Sequence, residues 1–204
     1  HVWWWLLASF TLAAAVAVWR WVPVITPQAH TAEQGWRKRL GLTLTHEGPW
    51  LVSLSFAVYS AQWLAVIGFL PTVYGQMGLP GTTAGLLTAW VALANVLGNL
   101  SAGRLLQKGW PPLRLLHVGF ACMAFGATAA FAEVEGQALP VAWRYIAVLM
   151  FSACGGLIPS TLFSSAVKLA PSESTVSTTV GYMQQWSALG QFAGPPLVLS
   201  LIHI

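Results

Sequence analysis

Residues 50–70 read WLVSLSFAVYSAQWLAVIGFL, twenty-one positions without one charged side chain. A helix needs about 20 mostly apolar residues to cross the hydrocarbon core of a bilayer, and this stretch supplies them. Runs of the same kind lie on both sides of it: Val2–Val22, Ala84–Leu106, Leu113–Phe131, Val141–Val167 and Val176–Ile204. Breakers separate them: Pro23 and Pro27, then Pro71 with Gly78-Leu79-Pro80-Gly81, then Gly109-Trp110-Pro111-Pro112, Gly136 with Pro140, and Pro171. Backbone polar groups in lipid must be satisfied inside the protein, so the runs are either helices or barrel strands. Barrel strands would be short and alternating; these runs are long and continuous. The expected fold is therefore all-α, a polytopic transmembrane helical bundle with six spans.

Composition leads to the same solvent. The 204 residues are 56% hydrophobic and 7% charged, whereas soluble domains carry about 25% charge. There is too little polar material to coat a globule, so membrane lipid is an expected partner. The net charge of +4 comes from nine Lys/Arg scattered through short connections; they form no basic stripe, and nucleic acid is not an expected partner. Cys122 and Cys154 both lie inside apolar runs, which indicates neither a disulfide framework nor a metal site. No catalytic constellation and no cofactor are implied.

The basic residues do set an orientation. Arg20, Arg37, Lys38 and Arg39 sit in or beside the first long connection, Arg104, Lys108 and Arg114 flank the third, and Lys168 follows the fifth span. If the sides alternate, all eight share one side and only Arg144 is left for the other, with Glu133 and Glu135. By the positive-inside bias the eight are cytoplasmic. Tryptophans mark the two interfaces, Trp3, Trp4, Trp5 and Trp143 on one, Trp19, Trp21, Trp50 and Trp110 on the other, as amphipathic rings prefer. The chain opens at His1 inside an apolar run, which reads as a fragment. Its last residues, Leu199–Ile204, match the translation of a common transposase adapter, so read-through is expected there and His203 is given no functional weight.

Two glycine-bearing segments carry a family resemblance. Gly103-Arg104-Leu105-Leu106-Gln107-Lys108-Gly109, followed by Arg114, resembles the loop signature of the major facilitator superfamily, roughly G-x-L-A-D-R-x-G-R-R. The match is partial: Gln107 stands where the family prefers Asp, and Pro111-Pro112 replace the basic pair. Gly181, Gly190, Gly194 and Pro195 reproduce the spacing G-x8-G-x3-G-P of the family's helix-packing glycine motif. The two segments fall three spans apart on matching sides. The resemblance implies that Val2–Val22 is helix six, 23–49 the central cytoplasmic loop, and 50–204 the C-terminal bundle of helices seven to eleven, incomplete without helix twelve. It further implies a secondary active transporter with alternating access, a small-molecule solute, an N-terminal half as partner, and a bacterial cytoplasmic (inner) membrane. The run Gly68–Tyr74 leading to Ala84–Leu87 is similar to cyanate-permease-like members.

Polar side chains inside a span are costly unless they face protein or water, so they mark candidate cavity walls. Tyr59, Gln62 and Trp63, at i, i+3 and i+4, are expected on one face of helix seven. Asn95 and Asn99 belong to helix eight, and Gln184 and Gln185 to helix eleven, where Ser177, Gln184 and Gln191 repeat every seven residues. Gly155-Gly156 and Pro159 are expected to interrupt helix ten. Arg144, at the outer end of that helix, is a possible anion contact or a snorkelling anchor. The cavity so assembled is neutral and amide-rich, suited to a small polar or weakly anionic solute. Asn and Gln in membranes also simply tie helices together. Two rival readings stay open, a non-transporting sensor or scaffold on the same fold and a polytopic membrane enzyme; for the latter the nearest candidate is Thr45-His46-Glu47, which has no partners.

Overall fold

A computed structural model describes residues 2–23, 35–134 and 137–202. The chain divides into two compact units, His1–Gly35 and Trp36–Ile204. The first holds α1 (Val2–Trp21), a helix with no buried residue. Its 20 residues at about 1.5 Å each match the hydrocarbon thickness of roughly 30 Å.

The second unit contains α2 (Trp36–Thr45), α3 (Glu47–Gln76), α4 (Gly81–Gln107), α5 (Pro112–Phe131), a two-residue hairpin β1 (Glu133–Val134) and β2 (Gln137–Ala138), α6 (Val141–Gly155), α7 (Leu157–Leu169), a 3-10 turn at Glu173–Thr175, and α8 (Val176–Ile202). Among the described residues five segments are long and apolar enough to cross a membrane: α1, α3, α4, α5 and the α6–α7 run. The sixth expected span, α8, has the length, at 27 residues, but is not one of the five; Gln184, Gln185, Gln191 and the pair Pro195-Pro196 dilute its apolar character. Large side chains such as Phe125 (68% exposed) and Phe192 (80% exposed) stand on the outer surface, tolerable in lipid but not in water.

Two expectations need correction. The stretch 23–49 is not all connection, because Trp36–Thr45 is helical and α3 begins at Glu47 rather than Trp50. Pro71 does not end a span; it lies inside α3, which runs on to Gln76. A proline removes one N–H and so one hydrogen bond, a loss that membrane helices absorb. The true stop is Gly78, at φ 78°, where Leu79 N–H reaches Tyr74 O and Gly78 N–H reaches Gly75 O, the paired bonds of a Schellman cap. The end of α4 repeats this design: Gly109 has φ 84°, Trp110 N–H bonds Leu105 O and Gly109 N–H bonds Leu106 O. Gly109, expected as part of a family loop signature, therefore has a local job as a left-handed helix cap.

Contacts between helices fix their directions. Along α3 and the α6–α7 run, Gly48 meets Leu169 and Phe56 meets Phe163, so these are antiparallel. Gly119 meets Ile158 and Gly126 meets Ala147, so α5 and α6–α7 are antiparallel too. Leu87 pairs with Tyr145, Val91 with Ser152 and Asn99 with Ser160, which makes α4 parallel to α6–α7. Ala57 meets Gly190 and Ala61 meets Gly194, which makes α3 parallel to α8. These directions fit helices that cross up and down in sequence order. Within this unit Arg104, Lys108, Arg114 and Lys168 consequently share one end, and α2 with its basic run packs there, against the 3-10 turn and the start of α3 and α8. Arg144 and Glu133 are at the other end.

Lipid supplies no hydrophobic drive between helices, so close backbone packing must do more of the work. Two apolar clusters fill the interior, one around Phe56, Met123, Phe151, Ile158 and Met183, the other around Leu70, Tyr74, Val91 and Val148. The tightest approach is at Gly98 of α4 and Gly156 between α6 and α7. A methyl group on Gly98 would run into Ala153 O, and one on Gly156 into Asn95 O. Both obstacles are backbone, which cannot swing aside.

Replacing Gly156 with Ala is expected to cost about 1–3 kcal/mol by overpacking, and Gly109→Ala about 1 kcal/mol through its left-handed backbone. Gly181→Ala is the control, since nothing lies within 4 Å of a methyl group there. Thermal unfolding of the full-length protein in detergent should rank them in that order; a Gly156 variant as stable as the Gly181 one would refute the crossing.

Candidate functional site

Helix α6 stops at Gly155 and α7 begins at Leu157, the interruption expected from Gly155-Gly156 and Pro159. Pro159 has no N–H to give to the carbonyl one turn back, and the two glycines tolerate the resulting break. Around this break, polar side chains of three helical segments converge.

Asn95 is at the centre and is buried. Its Nδ2 donates to the Tyr59 hydroxyl at 3.0 Å and to Ser152 O at 3.0 Å. The reciprocal approach of the Tyr59 hydroxyl to Asn95 Oδ1 is long, at 3.4 Å. Asn99 Nδ2 donates to Asn95 Oδ1 at 3.1 Å. Ser160 Oγ donates to Asn99 Oδ1 at 2.9 Å, and Ser152 Oγ to Val91 O at 2.7 Å. Trp63 Nε1 reaches Ser152 Oγ at 3.4 Å. Every member is neutral, so this is a hydrogen-bonded knot rather than an acid–base site. It joins α3, α4 and the broken helix at the level where the α4 backbone touches Gly156.

Four of the seven candidate cavity residues, Tyr59, Trp63, Asn95 and Asn99, are thus brought together, with their polar atoms mostly committed to one another. The other three are not part of the knot. Gln62, Gln184 and Gln185 are exposed on this unit, and none makes a hydrogen bond to another described residue. The expectation that Tyr59, Gln62 and Trp63 share one face fails for Gln62. Tyr59 and Trp63 differ by one turn and both turn inward, while Gln62 sits a quarter-turn away from Trp63 on the outer side, in line with Leu54 and Val58.

Sequence reading missed two groups here. Ser152 joins α3 and α4 to α6, and Ser60 Oγ lies 2.7 Å from Ser187 Oγ, which in turn receives Gln191 Nε2 at 3.2 Å. Ser53 and Ser60, seven residues apart on α3, were the available signal for a helix-facing stripe. The glycine motif divides: Gly190 and Gly194 pack on Ala57 and Ala61, while a methyl group at Gly181 would meet no other described residue within 4 Å. Near the basic end, Trp50, Tyr182 and Trp186 form an aromatic trio, with Trp50 centred 5.2 Å from Tyr182 and 5.5 Å from Trp186. Arg104, Lys108 and Arg114 are exposed. Arg144 is half-buried, and its Nε donates to Ala130 O at 2.6 Å. No group of three or more His, Cys, Asp or Glu that could hold a metal ion occurs among the described residues.

Compared with known proteins, residues 1–195 match the family model of the Major Facilitator Superfamily. No curated protein and no solved structure matches the chain.

Asn95→Leu should destabilise the bundle by about 1 kcal/mol, the scale of interhelical hydrogen bonds in membranes, and Tyr59→Phe by less. The measurement is unfolding of the full-length protein in detergent. Gln62→Ala should leave stability unchanged, and an equal loss at Gln62 and Asn95 would contradict the division of the two sets.

Proposed function

The chain belongs to the major facilitator superfamily, and on that basis we propose that it is a secondary active transporter moving a small polar or weakly anionic solute by alternating access. Members of the family are transporters that move small solutes and sit in lipid as multi-pass integral proteins. The family match across residues 1–195 carries the reading. In finer detail, the segments correspond to helices six to eleven of a twelve-helix transporter, α1 being the sixth and α8 the eleventh. The long connection containing α2 supports this, since it falls after the first span, as the family's central cytoplasmic loop does after its sixth. An N-terminal half of the same protein would complete the passage. The run Gly68–Tyr74 supports a cyanate-permease-like member, and the end bearing Arg104, Lys108 and Lys168 is then the cytoplasmic one, in a bacterial inner membrane.

The mechanism follows from the separation of committed and uncommitted polar groups. The Tyr59–Asn95–Asn99–Ser152–Ser160 knot makes this half move as one body, and it is centred on the broken crossing helix. Gln62, Gln184 and Gln185 stand outside it with amides that have no partner among the described residues, able to meet a solute or the other half. Rocking of two such halves about a midplane site would expose it to each side in turn. Broken helices at that depth are a feature of transporter binding sites.

Uptake by the full-length protein in proteoliposomes tests this. Gln62→Ala, Gln184→Ala and Gln185→Ala are each expected to lower uptake roughly tenfold or more, about the effect of losing one hydrogen bond to a desolvated partner. Normal uptake by all three would remove the proposed cavity. A complete lack of solute flux in a well-folded wild type would favour a sensor instead.

A further inference from the structure

The helix α2 carries a face that no other described element covers. Thr43 is buried, Arg39 and Leu42 are half-buried, and these three turn toward the rest of the unit. Trp36, Leu40 and Leu44 point away, at 63%, 37% and 41% exposure. Steps of four residues stack them along one flank of the helix. Arg37 edges this stripe, its guanidinium carbon 5.4 Å from the centre of the Trp36 ring. Lys38 stands on the adjoining polar flank with Gly41 and Thr45. Arg37 and Lys38 are both exposed, and neither forms an ion pair among the described residues.

Local bonds set the depth of α2. Only His46 separates it from α3, and extended backbone there, φ −94° and ψ 141°, keeps the two from joining into one helix. Trp50, in the first turn of α3, donates its indole Nε1–H to Leu44 O at 2.9 Å. The same ring meets Tyr182 and Trp186, and such amphipathic rings favour the headgroup level. The last turn of α2 is therefore held at the membrane interface, where a crossing helix begins, while α2 packs on the 3-10 turn and α8.

An exposed tryptophan and leucine stripe is unfavourable in water and suits the boundary between headgroups and acyl chains. The charge beside it selects the headgroup. Arg104, Lys108, Arg114 and Lys168 share this end of the unit, and among the described residues Glu47 and Glu173 alone oppose them. A surface of that sign attracts acidic lipid, by about a factor of five for each Lys or Arg near the membrane. We propose that α2 lies in the membrane surface and docks on anionic phospholipid, its stripe at the acyl boundary and Arg37 and Lys38 on headgroup phosphates. The docking needs membrane embedding only, and so goes beyond the transport reading.

The test is amide hydrogen exchange of the full-length protein in lipid nanodiscs of phosphatidylcholine, with and without phosphatidylglycerol. Exchange across residues 36–45 should slow roughly tenfold or more when phosphatidylglycerol is present, the combined pull of two cations. Raising the salt to about 0.5 M should remove most of that gain by screening. Arg37→Gln with Lys38→Gln should abolish the gain. Lys108→Gln with Arg114→Gln, the same charge loss elsewhere at this end, should keep most of it. Leu40→Gln with Leu44→Gln should speed exchange in both kinds of disc. If the Arg37 and Lys38 variant fails to fold, the lipid and salt comparisons on wild type decide. Equal exchange in the two discs overturns the proposal, since protein and not acidic lipid would then cover the stripe. Equal losses in the two charge variants overturn it too, as does a Leu40 and Leu44 variant that exchanges like wild type. So does protection by inorganic phosphate in phosphatidylcholine discs, which would mean a free anion in place of a lipid surface.

Discussion

The bundle depends on a place where two backbones touch. Gly98 and Gly156 let α4 lie directly against the junction of α6 and α7, with carbonyls where side chains would otherwise stand. In lipid, apolar side chains gain little by leaving the solvent for one another, so dispersion at short range and interhelical hydrogen bonds must hold the helices. The crossing supplies both. It brings Asn95 and Asn99 within reach of Ser152 O and Ser160 Oγ, and only a glycine pair makes that approach possible. Tyr59 and Trp63 then fasten α3 to the same point.

The break at Gly156 serves two ends at once. An unbroken helix would carry its carbonyl bonds straight through the crossing and hold the α6 and α7 axes in line. With Pro159 removing one N–H and Gly156 removing a side chain, the freed backbone lies inside protein, the only setting in which lipid-embedded chains tolerate it. The polar knot around it substitutes for the lost helix bonds. Close packing and hydrogen bonding are thereby located in the same few residues.

Much of this was legible in the chain. The spans, their alternation and the interruption at Gly155-Gly156 follow from long apolar runs and from residues whose backbone chemistry admits few alternatives. What misled was of a different kind. Pro71 looked like a boundary because proline opposes helix, yet one missing hydrogen bond does not outweigh the turns on either side, and the stop was set by Gly78. The helix Trp36–Thr45 was hidden because its basic residues and short length read as a loop. Gln62 was grouped with Trp63 by spacing alone, although neighbouring positions differ by a quarter-turn and only one of them faces inward. Ser152 was overlooked because a serine in an apolar run carries no sign of its partner, which belongs to another helix.

The parallel pairing of α3 with α8 bears on how the protein is made. Ala57, Ser60 and Ala61 form a seat for Ser187, Gly190 and Gly194, yet α3 leaves the ribosome more than a hundred residues before those glycines exist. For that interval the seat faces lipid, or some temporary neighbour in the insertion machinery, with a serine hydroxyl unanswered. Completion of this interface therefore follows the order of synthesis, with a later helix closing a seat made by an earlier one.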